Sequence, residues 1–330
     1  MPGAVLPRRN PKPVNLLVSP LAFLGRHGTT MMAVGLFAGL VLPGPAAHLR
    51  PWLGPMVWCL MALSLVHIRW AEVVGHIRRP VLFATTLVWM LAVTPVLMWL
   101  LVKDAGLSPG LVVAMVLTAA TGPLISTPAV GMLIGLDGAF LVLVLVAETF
   151  LVPLTLPVVS ATLVATPVST FDLMGRLALL VSTTFFVALA AQRVFGIARL
   201  ERWRQPMHGL TVILLVGFAA GLMSGAPAAF RADPGKVVFV TGLCFAVYLG
   251  LQAAGAVAFA AFGRVLRRDW DRAKVLTAAF VSGNRNLAIL IAVLLPNIDP
   301  DTMLYFVLGQ FPIYLMPALW RHLAKRLLPA

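Results

Sequence analysis

Two short stretches decide how this chain folds: Thr121-Gly122-Pro123-Leu124-Ile125-Ser126-Thr127-Pro128, and Ser282-Gly283-Asn284-Arg285-Asn286. Each interrupts an otherwise apolar run, and Gly122 and Gly283 lie 161 positions apart. Pro128 has no amide hydrogen and Gly122 tolerates unusual backbone angles, so a helix through the first stretch is expected to break. Gly283, between Ser282 and Asn284, gives the second run a similar reason to unwind. Unwound backbone is tolerated at membrane depth only where it is buried in protein or lines a cavity.

The surroundings of both stretches are those of a membrane protein. The chain is 60% hydrophobic and 11% charged, with mean hydropathy +0.97, too apolar to cover itself in water. Runs such as 80–102 and 139–164 exceed the roughly 20 residues that cross a bilayer, and in lipid such runs must be helical. Alternation of the kind a porin strand needs is absent. Spans are expected at 29–45, 52–68, 80–102, 109–135, 138–164, 172–192, 207–226, 236–262, 273–296 and 302–320, giving an all-α membrane protein with ten transmembrane helices.

Charge sets the orientation. The two ends and the loops after even-numbered spans hold 19 of the cations, among them Arg8, Arg9, Lys12, Arg78, Arg79, Arg202, Arg204, Arg267, Arg268, Lys325 and Arg326. The other side holds five: Arg50, Lys103, Arg176, Arg231 and Lys236. Lys and Arg collect in cytoplasmic loops, so both termini are expected inside a bacterial-type inner membrane. The net charge of +14 then reflects topology and contact with anionic lipid at the basic loops, and no nucleic acid is expected.

Five spans per half is odd, so the halves enter the membrane in opposite senses, the inverted-repeat plan of many secondary transporters. Each helix after a break carries paired prolines, Pro153 with Pro157 and Pro312 with Pro317, and follows an acidic connector, Asp137 or Asp299 with Asp301. This divides the chain into a cytoplasmic tail 1–28, a first five-helix repeat 29–164, span 6 with its basic loop over 165–206, and the rest of the second repeat with a basic C-terminal tail over 207–330. A substrate site is expected where broken helices 4 and 9 cross, at Ser126, Thr127, Pro128, Ser282, Asn284, Arg285 and Asn286.

Two ionisable groups lie inside spans, Glu148 and Arg285, and groups at that depth usually have a partner or a task. Three readings stay open: a structural ion pair between the two; an anion-binding role for Arg285, whose planar head suits a carboxylate or sulfonate; and proton coupling at Glu148. Gln310 is a further cavity-lining candidate, with simple packing as the alternative. Cys59 and Cys244 sit in apolar runs, so neither a disulfide nor a metal cluster is expected. Nothing matches H-E-x-x-H, G-x-S-x-G, a Walker loop or a dinucleotide fingerprint, so neither an enzyme, an ATP-driven pump nor a cofactor is expected.

The run from Ser126-Thr127-Pro128 to Gly135-Leu136-Asp137, and then Glu148 to Pro153-Leu154-Thr155-Leu156-Pro157, resembles the fourth and fifth helices of the bile acid:sodium symporter family. Ser282-Gly283-Asn284-Arg285-Asn286-Leu287-Ala288 resembles that family's ninth-helix motif, usually E-x-G-x-Q-N. The resemblance implies a panel domain of spans 1, 2, 6 and 7 against a core domain of spans 3–5 and 8–10, with substrate bound between them. Departures from the family pattern bear on the ion. Val281 stands where the family has its sodium-binding acid and Arg285 where it has a Gln. Leu141 and Leu145 replace hydroxyl ligands, and Thr127 or Pro128 replaces an Asn. The expectation is therefore a secondary transporter of a small organic anion whose sodium coupling is lost or replaced by protons. Two alternatives are a conventional sodium symporter with displaced ligands and a non-transporting receptor or scaffold on the same fold.

Overall fold

A computed structural model describes residues 20–21, 23–24, 28–68, 80–164, 168–266, 270–294, 298–316 and 320. The N-terminal tail, the basic residues at 69–79, 267–268 and 321–330, and Pro317 lie outside these. Among the described residues the protein is helical, with no strand and a single isolated β-bridge. The helices are α1 Gly28–Val41, α2 Pro43–Val66, α3 Pro80–Val102, α4 Pro109–Ala120, α5 Thr127–Leu133, α6 Gly138–Val164 and α7 Thr170–Phe195. They continue as α8 Ile197–Arg202, α9 Arg204–Ala232, α10 Pro234–Val265, α11 Arg272–Gly283, α12 Leu287–Leu294 and α13 Pro300–Leu308, the last followed by a helical turn over 310–316.

Six of these, α2, α3, α6, α7, α9 and α10, are long and apolar enough to cross a membrane. Large apolar side chains such as Phe171, Phe186 and Val194 on α7 and Val238, Val257 and Val265 on α10 are exposed. In water they would be an aggregation surface; on a membrane helix they are the face that meets lipid. The protein is thus an all-α, multi-pass membrane protein.

Local sequence explains where helices start and stop. The first expected span, 29–45, ends early at Val41, because Pro43 and Pro45 begin α2. A residue ahead of proline is pushed away from helical angles, and Leu42 sits at φ −119°, ψ 59°. Acids that looked like loop charges do capping work. Asp137 accepts from Phe140 N, Asp233 from Lys236 N, Asp271 from Lys274 N and Asp299 from Thr302 N, each closing an orphan donor at a helix start. Proline leaves a trace inside α3 as well: next to Pro95 the helix widens into one π turn over Trp89–Val93.

Packing sorts the helices into two groups. α1 lies along α9, and α9 and α7 both pack on α2. Gly35 and Gly39, four apart, allow the α1–α9 approach; a Cβ on Gly35 would stand 2.7 Å from Val216 Cα. In the second group α3 packs on α4 and α6, α10 on α11 and α13, and α13 on α4. That last contact is tied at one end by Thr302, which donates to Gly110 O at 2.8 Å, and by Asp301, which accepts from Ser108 and from the Lys236 ammonium. Lys236, then Ser108, hold the Asp301 carboxyl below the usual carboxylate range.

Candidate functional site

The two breaks meet. α4 ends at Ala120 and α5 begins at Thr127; α11 ends at Gly283 and α12 begins at Leu287. Between them, Leu124 N donates to Asn284 O and Asn286 N to Gly122 O, both at 2.9 Å, an antiparallel bridge around Pro123 and Arg285. Each break thereby supplies hydrogen-bond partners that the other lacks.

Arg285 completes the join. It is fully buried, and it donates from Nε to Ser282 O at 2.7 Å, from Nη1 to Thr121 O at 2.7 Å, and from Nη2 to Thr94 Oγ1 at 2.9 Å. Nη1 also lies 3.4 Å from Met90 O. Ser282 O and Thr121 O are carbonyls freed at the breaks themselves, and Met90 O is one that a proline has orphaned. In the π turn Thr94 N bonds Trp89 O, and Pro95 has no amide, so Met90 O lacks a helical donor. Thr94 Oγ1 donates there at 2.9 Å and also reaches Ala119 O at 2.9 Å, whose own helical donor would have been Pro123. A guanidinium buried among oriented carbonyls needs no carboxylate for its hydrogen bonds. Tyr248 adds a bond from its hydroxyl to Arg285 O.

Glu148, on α6, is also fully buried, yet neither carboxyl oxygen has a hydrogen-bond partner within the protein. It forms no ion pair with Arg285, whose donors point to the carbonyls just described. Its Oε2 sits against the first break: a Cβ built on Gly122 would lie 3.3 Å from Glu148 Cβ and 3.3 Å from Oε2.

Beside the paired breaks lies a crevice of about 520 Å³. Its walls come from α2, α6 and α9 and from residues of both breaks, and its lining is mainly apolar, including Leu60, Leu145, Phe218 and Ile289. Polar groups concentrate at two places. Ser126, Asn286, Gln310 and Tyr314 stand with the breaks, while His67, Glu201, Arg204 and His208 stand where α2 ends and α9 begins. An apolar pocket of this size with a few polar groups is the usual form of a small-molecule site. His67 and His208 meet edge to face with centroids 5.7 Å apart. His67 Nδ1 is 2.9 Å from Leu63 O, and a carbonyl can only accept, so the hydrogen is on Nδ1 and Nε2 is left an acceptor without a protein partner.

The residues expected to form the site therefore part company. Ser126, Pro128, Asn286 and Gln310 line the crevice. Pro128 lies in the first turn of α5 rather than within the break, where its missing amide costs nothing. Asn286 accepts from Ala288 N through Oδ1 and so caps α12; Gln310 donates to Phe306 O. Ser282 and Asn284 turn back into their own helix, onto Ala278 O and Phe280 O, and neither lines the crevice. Thr127 is buried, with its hydroxyl oxygen unpartnered. Arg285 is walled off beneath the breaks rather than exposed to the crevice. Sequence reasoning missed Thr94, Thr121 and the cluster at His67, Arg204 and His208. Pro95 inside an apolar span was the available signal for Thr94, since it announces free carbonyls one turn earlier. The chain matches no protein-family model and no curated protein.

Proposed function

We propose that this protein is a secondary transporter of a small organic anion, working by alternating access, and that the substrate occupies the crevice beside the paired breaks. One observation carries the reading: a mainly apolar crevice of about 520 Å³ ends on two broken membrane helices that bond to each other. Irregular backbone beside a cavity at membrane depth is how many secondary transporters build their sites. The apolar walls suit the hydrocarbon part of an organic acid. Asn286, Ser126 and Gln310 offer it polar contacts at the breaks, and at the other end Arg204, 3.9 Å from Glu201, offers positive charge beside the His208 ring.

In this reading the chain has ten spans in two inverted five-helix repeats, as the resemblance to bile acid:sodium symporters implies. The expected spans 109–135 and 273–296 correspond to α4 with α5 and α11 with α12. The grouping of α1, α2, α7 and α9 against α3–α6 and α10–α13, which meet where α7 packs on α6 and α12 on α2, supports a panel and a core. Both termini are cytoplasmic, the basic loops rest on anionic lipid, and the mouth at Arg204 opens inward. Arg285 contributes through its field, not by contact: a buried positive charge beneath the breaks favours an anion in the crevice without a sodium ion. Support for sodium independence lies in Val281, Leu141 and Leu145, which are buried and offer no side-chain oxygen.

Thermal stability of the purified protein in lipid nanodiscs, measured against mono- and dicarboxylates and sulfonates, tests this directly. Binders should raise the melting temperature equally in sodium and in choline at constant ionic strength, and should exchange across proteoliposomes in counterflow. If no organic acid stabilises the protein, the reading fails; if stabilisation requires sodium, the ion-independent part fails.

A further inference from the structure

Below the crevice a second cavity of about 30 Å³ lies among Ser64, Gly122, Glu148, Thr149 and Asn286. It shares Met61, Ser64, Ile125 and Asn286 with the crevice wall, so the two are contiguous. One water needs roughly 10–15 Å³ of such space, so the niche accommodates one or two. Glu148 faces it with both oxygens unpartnered. Gly122 keeps the space open, because any side chain there would press on the carboxyl. Titratable lining residues are limited to Glu148 itself; the one further charge nearby is Arg285, from the second break, whose hydrogen bonds go to carbonyls and to Thr94. No ion pair fixes this carboxyl in one charge state.

Three occupants can be weighed by their needs. A hard metal cation wants about six oxygens. Here the lining side-chain oxygens are limited to Ser64, Glu148, Thr149 and Asn286, of which Asn286 Oδ1 already accepts from Ala288 N, and the remaining lining is apolar. Arg285 also already supplies a positive charge beside the site. A substrate anion would face the carboxylate. A proton needs only one carboxyl oxygen and room for water beside it, which this niche adjoining the crevice supplies.

We propose that Glu148 is a proton-binding site loaded from the crevice through water in this niche, so that one proton travels with the organic anion. Hydronium in the niche gives its proton to a Glu148 oxygen, forming the carboxyl O–H and leaving neutral water; release reverses the step. The coupling rests on the anion-transporter reading, whereas the proton site does not.

Infrared difference spectroscopy of the full chain in lipid, between alkaline and acidic buffer, tests it without any substrate. The wild type should show a buried carboxylic C=O band that shifts in D2O. Glu148→Gln should abolish the band, and Glu148→Asp should move it. Gly122→Ala, which fills the niche, should slow its deuterium exchange at least tenfold. A wild type lacking the band overturns the proposal without recourse to any variant, as does a band unchanged in Glu148→Gln. Loss of the band on adding sodium at fixed pH and ionic strength overturns it in favour of a metal cation. If the band stands while no organic acid ever binds, the transporter reading fails and the proton site survives. If acids bind and the band is missing, the proton site alone fails.

Discussion

Replacing Thr94 by Val removes one hydroxyl and leaves the shape almost unchanged, yet the structure makes this among the most damaging conservative changes in the chain. Thr94 Oγ1 accepts from Arg285 Nη2 at 2.9 Å and donates to carbonyls of both α3 and α4. A hydrogen bond to a buried charge is worth about 1.5–3 kcal/mol, and leaving Ala119 O short of a donor adds about 1 kcal/mol. The expected loss is therefore about 2.5–4 kcal/mol, measured by reversible denaturant unfolding in mixed micelles. Thr94→Ser keeps the hydroxyl and should stay within about 1 kcal/mol of wild type, the price of one buried methyl. In an Arg285→Gln background Thr94→Val should cost only the carbonyl share, so the double-mutant cycle should yield a coupling of about 1.5–3 kcal/mol. Equal stability of Thr94→Val and Thr94→Ser, or additivity with Arg285→Gln, would refute the idea that Thr94 holds the guanidinium.

Three further outcomes are expected. The Asp301 carboxyl is held low by Lys236 and Ser108, so its contribution is present above the unfolded value, about pH 3.9, and is lost as pH falls through the lowered one. Asp301→Asn should therefore flatten the acid limb of a melting-temperature profile below about pH 4. Arg204→Gln should weaken organic-acid binding roughly tenfold at low salt and less at high salt, since an exposed charge acts through a screened field; salt-independent loss would contradict this. Asn286→Ala should cost about 1 kcal/mol by uncapping α12 and should also reduce ligand stabilisation. Asn286→Asp should restore the cap without restoring binding, and titration by thermal shift separates the two effects.

Much of the fold was legible because proline and glycine act locally. Gly122 and Gly283 mark where helices stop, and the apolar runs leave helix as the only backbone solution in lipid; Pro128, expected to break the first helix, instead opens α5. What eluded the sequence was direction. Arg285 and Glu148 stand out as charges in apolar runs, and pairing them is the natural inference from charge alone. Their hydrogen bonds are decided by something the side chains do not announce: which backbone carbonyls the breaks and prolines leave free. Arg285 turns to Ser282 O and Thr121 O at the breaks and to Thr94, the hydroxyl that reaches the carbonyls freed by Pro95 and Pro123, leaving Glu148 to the niche. Ser282 and Asn284 likewise carry the right chemistry for a site, but sit on a face that bonds to its own helix. The polar cluster at His67, Arg204 and His208 is written at two span ends 141 positions apart, and only packing brings its members together.

The reciprocal bonding of the breaks also constrains how the protein is made. Thr121 and Gly122 leave the ribosome more than 160 residues before Arg285 and Asn286, so their carbonyls must wait in the bilayer, or in the insertion machinery, for donors not yet synthesised. Arg285 itself costs about 2.5–3.5 kcal/mol to insert alone, and beyond Ser282 O its acceptors, Thr121 O and Thr94 Oγ1, belong to segments already made. Neither half of the chain can satisfy its own break. Separately expressed halves should be unstable alone and recover only when coexpressed, which makes the join between the breaks a checkpoint of assembly as well as the floor of a site.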